Sequence, residues 1–398
     1  QPGDFPGGIW QLFTNDTMMV SARWPNAENP WFENSNWWNQ NSTWASVASS
    51  PTGTVTNVGN YDLAATNIDF TGAVAVLNIN SMITYQSVIE NHSPGSNYFE
   101  YDATNLYLFP NSLYHSGKYY IEGSLGCLDS PGEWFYDKVT REVYLWAYNN
   151  IDPNNQVIKG KTQDYAFEFG NCDYIKMEGI DFNGTTVKFW GSDNVAIENC
   201  TFKYPSYSKR MLGDVSDISV TWLKGNKSAF RNNVVEYTDG TALHMRASNG
   251  VIENNLFHHI DISCVAGNDW SGVGIAARRC TFLKFSRNTL HTSGGSEGVR
   301  PGKKGTSEYN EIYNTGHLQG DGALIQISPN SQSGSIVRYN WLHDSYKNGI
   351  RFDGSTGGNN GVMHHNVVWN VKRGLMVKGD FHKIYHNTSY ATNQNNIA

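Results

Sequence analysis

The chain has 398 residues and a formal charge of −7, from 29 lysines and arginines against 36 aspartates and glutamates. This balance argues against a general nucleic-acid binder and against a protein that binds anionic membranes. Charged residues make up only 16% of the chain, while Gly, Asn, Ser, Thr and aromatic residues are abundant, which is typical of a loop-rich all-β protein. No apolar run is long enough to predict a transmembrane helix, and the five cysteines lack the spacing of a zinc site or a disulfide framework.

The N-terminal region, residues 1 to about 165, contains no internal repeat. Within it, "EWFYDKVTREVYLW" (133–146) predicts a β-hairpin, because two alternating aromatic runs flank a polar turn. We expect residues 1–165 to form a β-rich cap over the first coil of the repeat that follows. Without such a cap, the edge of that coil would be an exposed template for pairing with other chains.

A repeat begins near residue 170, and its units share an Asn followed by a short β-prone run, as in "IENNLFHH" and "VRYNWLHD". The equivalent residues are Asn233, Asn255, Asn288, Asn310, Asn340, Asn366 and Asn387. Their intervals of 22, 33, 22, 30, 26 and 21 residues lie in the range of solenoid proteins. Because the units are rich in Gly and Asn and have period-two strands, we predict a right-handed parallel β-helix over residues 166–398, with the asparagines stacked in a buried, mutually hydrogen-bonded column.

A second column lies three residues after each asparagine and is rich in aromatic and histidine side chains. Its members are Glu236, His258, His291, Tyr313, His343, Trp369 and Tyr390. We interpret these histidines as members of a stack between coils rather than as metal ligands or catalytic groups. We expect no cofactor. A calcium ion that bridges substrate and protein, as in β-helix lyases, stays an open alternative, although no aspartate cluster indicates a site for it.

A glycine opens a strand after the turn in several units, as in "GTALHMR", "GVRPGKK" and "GIRFDGS". Residues at odd offsets from the glycine are mostly apolar and should face inward, so those at even offsets should face outward. The outward set contains the candidate substrate-binding residues His244, Arg246, Arg278, Arg300, Gln326, Arg351 and Lys378. Because stacked like charges repel, we expect an anionic ligand to compensate them, and the extended face of a solenoid suits an anionic polysaccharide.

Two pairs of carboxylates are candidates for hydrolysis of a glycosidic bond, which usually needs an acid and a base or nucleophile. Asp353 lies beside Arg351, and Asp380 on the next coil is expected roughly 8 Å away, a separation that suits an inverting pair. The rival pair is Glu297 and Asp321, which precede glycines in what read as consecutive coils and are expected roughly 5 Å apart.

Two other functions remain open from the residues alone. Elimination from a uronic acid would need a base and cations that neutralise the substrate carboxylate, with Lys378, Arg300, Arg351 and His244 in those roles. In that case Asp353 would only position an arginine. The third interpretation is a glycan-binding or adhesive β-helix without catalytic activity.

Three segments resemble secreted bacterial right-handed β-helix carbohydrate-active enzymes: "IWQLFTNDTMMVSARWPNA" (9–27), "CLDSPGEWFYDKVTREVYLW" (127–146) and "MHHNVVWNVKRGLMVKGDFHKIYHNTSY" (363–390). They are similar to β-helical glycoside hydrolases that act on fucose- or galactose-containing polysaccharides, including sulfated fucans. The resemblance implies catalytic carboxylates on the outer face of central coils, which Asp321 and Asp353 match best. His382, in the third segment, is a further substrate-binding candidate.

The same resemblance implies a protein that is secreted, periplasmic or on the cell surface, with an anionic, sulfated and fucan-like polysaccharide as its expected partner. We expect no nucleic-acid or membrane partner. The chain stops at "NQNNIA" just after a coil, and we expect a further domain or chain to cover that end.

Overall fold

A computed structural model describes residues 7–27, 35–48, 51–79, 83–104, 117–215, 219–265, 273–354 and 358–398. The chain divides into two compact units. The first contains residues 1–164 with the short segments 207–218 and 265–268, and the second contains 165–206, 219–264 and 269–398. The two short segments interrupt the range 166–398 assigned to the repeat. Across the described ranges, no helix is long and apolar enough to cross a membrane.

The first unit is built from short, mostly antiparallel strands around an apolar core. Its strands are Leu12–Thr14, Thr17–Met18, Val20–Ser21, Arg23–Trp24, Ala45–Val47, Thr54–Val58, Val74–Asn78, Tyr85–His92, Tyr98–Tyr101, Lys118–Glu122, Glu133–Asp137, Glu142–Leu145 and Ile158–Gly160. The predicted hairpin is present, because Glu133–Asp137 and Glu142–Leu145 pair antiparallel.

Helical structure in the described chain is limited to short segments: Gln40–Thr43 is α-helical, and the 3₁₀ segments are Ser35–Trp38, Ala64–Thr66, Leu125–Cys127, Tyr148–Asn150, Pro153–Asn155, Lys209–Leu212 and Pro329–Ser331.

The second unit is a parallel β-helix whose coils each contribute a strand to three parallel sheets, here called sheets 1, 2 and 3 in chain order. Sheet 1 contains Tyr165–Gly170, Thr186–Trp190, Thr221–Lys224, Leu243–Arg246, Val273–Ala276, Glu297–Arg300, Ala323–Ile327 and the second halves of Trp341–Phe352 and Val367–Val377. Sheet 2 contains Lys176–Glu178, Ala196–Glu198, Ala229–Arg231, Val251–Glu253, Lys284–Ser286, Thr306–Glu308, Ile336–Arg338, Val362–His364 and Lys383–Tyr385. Sheet 3 contains Asp181–Asn183, Thr201–Lys203, Val234–Glu236, Leu256–Ile260, Thr289–Ser293, Glu311–Thr315, the first halves of Trp341–Phe352 and Val367–Val377, and Thr388–Tyr390.

The turn between sheets 2 and 3 has the same length in every described coil. Two residues separate the strands, for example Asn254 and Asn255 between Val251–Glu253 and Leu256–Ile260. The first of the two always has a positive φ, as in Asn254 (56°) and Arg287 (55°). Short polar side chains tolerate this left-handed conformation well, which explains the asparagines at this position in the earlier coils.

The predicted asparagine column is present at the second residue of that turn. The amide nitrogen of Asn255 donates to the Oδ1 atom of Asn288 at 2.9 Å, and Asn288 donates to Asn310 at 3.0 Å. The same side chains bond to backbone groups of neighbouring coils, as when Asn288 Nδ2 donates to the Ile252 carbonyl. Each buried amide therefore has several partners, which offsets the cost of removing it from water.

The second predicted column also stacks, on the outer surface of sheet 3. His258 and His291 lie with ring centroids 5.4 Å apart, His291 and Tyr313 with centroids 5.0 Å apart, and the pairs are within 14° of parallel. The stack continues through His343, whose ring lies 4.2 Å from that of Trp369. In this part of the chain the side chains stabilise one another between coils.

Apolar residues of sheet 1 fill the interior in register. Leu243 pairs with Ile275, Ile275 with Val299, and Val299 with Ile325, and all four are fully buried. Burying a side chain of this size contributes roughly 1.5–3 kcal/mol relative to leaving it exposed. The alternation fixes the register of the strands, so that the residues between these apolar positions face outward.

Candidate functional site

The outer face of sheet 1 carries the outward residues that the sequence predicted. In register along this face lie Trp222, His244, Ala276, Arg300, Gln326, Arg351 and Met376. The face is not a solvated surface, however, because His244 and Gln326 are each 4% exposed and Arg351 is 8% exposed. Polar groups that are this well buried need partners, and those partners are mostly carboxylates.

Arg351 lies between two aspartates at the centre of this cluster. Its Nη1 atom is 2.7 Å from Asp321 Oδ1, and its Nη2 atom is 2.7 Å from Asp353 Oδ1. Asp353 also accepts a hydrogen bond from Gln326 at 3.2 Å and lies 3.4 Å from the Lys378 ammonium. Three side chains therefore hold Asp353, whereas Asp321 has one ion-pair partner among the described residues, Arg351.

Glu297 and Arg300 form a second, more deeply buried ion pair in the preceding coil. The Nη2 atom of Arg300 donates to Glu297 Oε1 at 2.5 Å, and its Nε atom contacts the other carboxylate oxygen. The Glu297 side chain is 3% exposed. Glu297 begins the sheet 1 strand Glu297–Arg300, so the pair lies next to the corner where sheet 3 leads into sheet 1.

The two ion pairs meet at Gly322. Val299 pairs with Ile325, so Glu297 lies opposite Ala323 and the predicted alignment of Glu297 with Asp321 is wrong by two residues. The chain nevertheless turns at Gly322, with a φ of 115°, and the Ser296 hydroxyl donates to the Asp321 carbonyl at 3.2 Å. A Cβ atom at Gly322 would lie 3.2 Å from Glu297 Cγ and 1.7 Å from the Ser296 carbonyl oxygen, so only glycine allows this approach.

The surroundings shift the pKa values of these two carboxyl groups in opposite directions. Burial raises the pKa of Glu297, and the nearby Asp321 adds to this, against the opposing effects of Arg300 and Arg351. Burial also acts to raise the pKa of Asp321, but the Arg351 charge and the Gly322 amide outweigh it, so the pKa of Asp321 is lowered. Two neighbouring carboxyl groups with pKa values shifted apart are the arrangement that supports acid and base roles.

The charges of this cluster are balanced within the protein. Arg300 is paired with Glu297, and Arg351 is paired with both Asp321 and Asp353, which also contacts Lys378. These three cations therefore have carboxylate partners within the protein, and the anionic ligand expected from the sequence stays a prediction. Glu297 begins a strand of sheet 1, whereas Asp321 and Asp353 lie outside the strands.

Asp380 and His382 follow the last strand of sheet 1. That strand ends at Val377, the chain turns at Gly379, and exposed Asp380 forms a β-bridge with Asn359. The separation of roughly 8 Å between Asp353 and Asp380 stays a prediction. The ring of His382 accepts a hydrogen bond from the Gly361 amide at 3.0 Å and its other nitrogen contacts the Lys378 carbonyl at 3.1 Å, so both ring nitrogens bind backbone.

The N-terminal half of the same face combines aromatic rings with cations. His244 stacks on Trp222 with centroids 3.8 Å apart, and the Arg246 guanidinium lies 4.9 Å from the centre of the Trp222 ring. Burial, followed by the charges of Arg246, Arg278 and Arg279, lowers the pKa of His244 to about 3. His244 is therefore neutral at physiological pH and adds no charge to the cations of this face.

Three residues of this half were missed from the sequence: Trp190, Trp222 and Lys224. The Lys224 ammonium lies 3.8 Å from the centre of the Trp190 ring, which is 5.4 Å from that of Trp222. They were missed because their coils have Ile180 and Cys200 at the position that the asparagine column occupies later. The signal that would have found them is the alternation of apolar and aromatic or basic residues in "VKFW" and "TWLK". Within the described ranges, no group of three or more His, Cys, Asp or Glu side chains is arranged to hold a metal ion.

Comparisons with known proteins support the fold. A family model described as a right handed beta helix region matches residues 218–389, which confirms the predicted fold class. A solved structure titled "Glycoside hydrolase" is similar with a TM-score of 0.62 and 13% identity, and the match covers 98% of this chain and 78% of that one. At this identity the likeness shows the fold. No curated protein matches the sequence.

Two phage tailspikes share less of the structure. The Dettilon tailspike protein (gp208) matches with a TM-score of 0.33 and 11% identity over 59% of this chain and 57% of its own. The Pseudomonas phage phi297 tailspike gp61 matches with a TM-score of 0.18 and 11% identity over 84% of this chain and 56% of its own. These scores are too low to carry an argument about function.

Proposed function

We propose that this protein is a glycoside hydrolase that cleaves a polysaccharide on the outer face of sheet 1, with Glu297 and Asp321 as its two carboxyl groups. The observation that carries the proposal is the opposite shift in their pKa values at a point where their coils are in contact. The likeness of the fold to a structure titled "Glycoside hydrolase" agrees with this choice.

In this proposal Glu297 is the general acid and Asp321 the base or nucleophile. A carboxyl group with a raised pKa holds the proton that the leaving glycosidic oxygen needs. Asp321, which is kept ionised by Arg351, either attacks the sugar or removes a proton from water. Asp353 contacts Arg351, Gln326 and Lys378, so we assign it the role of positioning Arg351.

The substrate that we propose is an anionic polysaccharide, and the sulfated, fucan-like class expected from the sequence belongs to this proposal. Lys224, which lies over the Trp190 ring in the N-terminal half of the face, supports it. Arg351 does not, because Asp321 and Asp353 already balance its charge. The same balance weakens the lyase alternative, since Arg351 was to help neutralise a substrate uronate and His244 is a poor base.

The test is an activity assay on sulfated fucan, carrageenan, alginate and ulvan, followed by reducing ends and by the absorbance of an unsaturated uronate. We expect reducing ends without that absorbance on at least one substrate. Glu297→Gln and Asp321→Asn should each lower the rate by at least about 100-fold, because general acid–base catalysis contributes that much.

Asp380→Asn is the matched control, because it changes one exposed carboxylate that forms no ion pair with the other described residues. It should retain full activity. Absorbance that rises together with reducing ends would mean elimination and would overturn the proposal. So would full activity in the Glu297 variant, or the absence of any product from all four substrates.

A further inference from the structure

The Trp190 ring is an exposed aromatic group in the aromatic and basic half of sheet 1. The residue is 40% exposed, whereas Trp222, on the next coil, is 7% exposed. Trp190 pairs in register with Gly170, which is at the end of the preceding strand. An exposed indole beside a glycine leaves apolar ring surface without a neighbouring side chain to cover it.

The space next to that ring is open. A Cβ atom added at Gly170 would meet no other atom within 4 Å. On the opposite side, Trp190 contacts the Lys224 ammonium and the edge of Trp222. One side of the indole is therefore held in place by the protein, and the side toward Gly170 is available to a flat apolar surface such as the C–H face of a sugar ring.

Lys224 supplies a charge at the same place. Its ammonium lies 3.8 Å from the centre of the Trp190 ring, and no carboxylate of the described residues lies within ion-pair distance of it. By contrast, neighbouring Lys188 is paired with Glu168 at 2.6 Å. In a chain with a net charge of −7, a cation beside an exposed indole and without a carboxylate favours an anionic ligand.

The position of this ring relative to the proposed catalytic residues suits an extended substrate. Three strands of sheet 1 lie between Thr186–Trp190 and Glu297–Arg300, which makes four successive pairings along the sheet. At roughly 4.8 Å per strand, the separation along the sheet is about 19 Å. A polysaccharide that lies along the axis of the β-helix would cross both the Trp190 ring and the proposed catalytic residues.

We propose that Trp190 and Lys224 form a distant subsite that binds an anionic sugar residue, sulfated or carboxylated, of the polysaccharide that is cleaved at Glu297 and Asp321. The inference rests on the proposed function for its catalytic end. The sugar ring lies on the Trp190 face toward Gly170, and its anionic group pairs with Lys224.

The experiment measures equilibrium binding of the full chain to dextran sulfate, alginate and uncharged dextran by affinity electrophoresis and titration calorimetry. Glu297→Gln is the background, so that cleavage does not consume the probe. We expect tighter binding to at least one anionic polymer than to dextran. Lys224→Gln and Gly170→Leu should each weaken that binding by about fivefold, the first by removing the charge and the second by covering the ring.

Two controls match these changes. Lys383→Gln removes one exposed lysine from sheet 2, and Gly7→Leu adds the same side chain at another glycine that has no atom within 4 Å of its added Cβ. Both controls should bind as the background protein does. Equal binding to dextran and both anionic polymers, or unchanged binding by Lys224→Gln and Gly170→Leu, would overturn the subsite.

The result is independent of the hydrolase proposal, because binding is measured in a variant without the catalytic acid. Loss of binding in the two variants, together with no hydrolysis by the native chain, would keep the subsite and reject the enzyme. Stronger binding to dextran sulfate assigns the anionic group as sulfate, and stronger binding to alginate assigns it as carboxylate.

Discussion

At the scale of single residues, the function of Asp353 depends on what surrounds it. The sequence suggested a catalytic aspartate beside an arginine. In the structure the side chains of Gln326, Arg351 and Lys378 all contact Asp353, while Asp321 pairs with Arg351 and is more exposed, at 37% against 25% of the side chain. A carboxylate with fewer hydrogen-bond donors is freer to react. We therefore assign the reactive role to Asp321 and the positioning role to Asp353.

Arg351→Gln is expected to change the pH dependence of catalysis. Without the cation, the pKa of Asp321 should rise, because an adjacent arginine stabilises the ionised form. The acidic limb of kcat/KM against pH, which requires ionised Asp321, should then move upward and lower the activity at acidic pH.

The control for this change is Lys378→Gln, which removes a cation that contacts Asp353 and not Asp321. The acidic limb of its kcat/KM profile should lie at the same pH as that of the native chain. An unchanged limb in Arg351→Gln, measured as initial rates on the substrate found in the activity assay, would contradict the role of Arg351.

At the scale of structural elements, the asparagine column holds the turns between sheets 2 and 3 in register. Asn288 accepts from the backbone and side-chain amides of Asn255 and donates to Ile252 and Asn310. All of these groups are buried, so removing the amide would leave several polar atoms without partners. Asn387, the last member in this chain, is only half-buried.

Asn288→Ala is expected to lower the free energy of unfolding by about 3 kcal/mol, because unsatisfied buried polar groups cost roughly 1–3 kcal/mol each. Asn387→Ala deletes the same atoms where water can replace them, and should cost about 1 kcal/mol. Urea unfolding followed by circular dichroism measures both. Equal losses in the two variants would show that burial of the column does not determine its contribution.

The same column explains how far the sequence could predict the fold. Because equivalent residues stack, the same residue, asparagine, recurs along the sequence. This recurrence allowed the β-helix, its inward apolar positions and its outward face to be predicted. The contacts of the candidate site leave no such mark. The approach of Glu297 to Asp321 depends on the turn at Gly322, and the contacts of Asp353 depend on side-chain positions in three coils. The outward residues of the coils before Asn233 were not predicted, because Cys200 and Ile180 replace the repeated asparagine there.

At the scale of the whole molecule, buried acids make stability depend on pH. Asp261, in the corner after the strand Leu256–Ile260, is 1% exposed. Burial, together with the charge of Asp239, raises the pKa of Asp261 to about 8. An aspartate in an unfolded chain ionises near pH 3.9. Between about pH 4 and pH 8 the unfolded state therefore releases a proton that the folded state keeps, so raising the pH across this window lowers stability.

Asp261→Asn should remove this contribution, because the amide is similar in size and stays neutral. The variant's gain in unfolding free energy over the native chain should increase from pH 5 to pH 8, by on the order of 2 kcal/mol. Chemical unfolding at the two pH values measures it. Asp380→Asn, at an exposed position, should keep the native slope, and a native slope in the Asp261 variant would contradict the assignment.

The constant two-residue turn between sheets 2 and 3 also decides where this protein can change during evolution. Every insertion that makes the asparagine intervals vary between 21 and 33 residues lies at one of the other two corners of the coil. Those two corners border sheet 1 on either side. Lengthening or shortening them alters the loops around the carboxylates and the Trp190 ring while the asparagine column stays aligned. Substrate preference can therefore diverge among descendants of this chain without a change in the scaffold that keeps it folded.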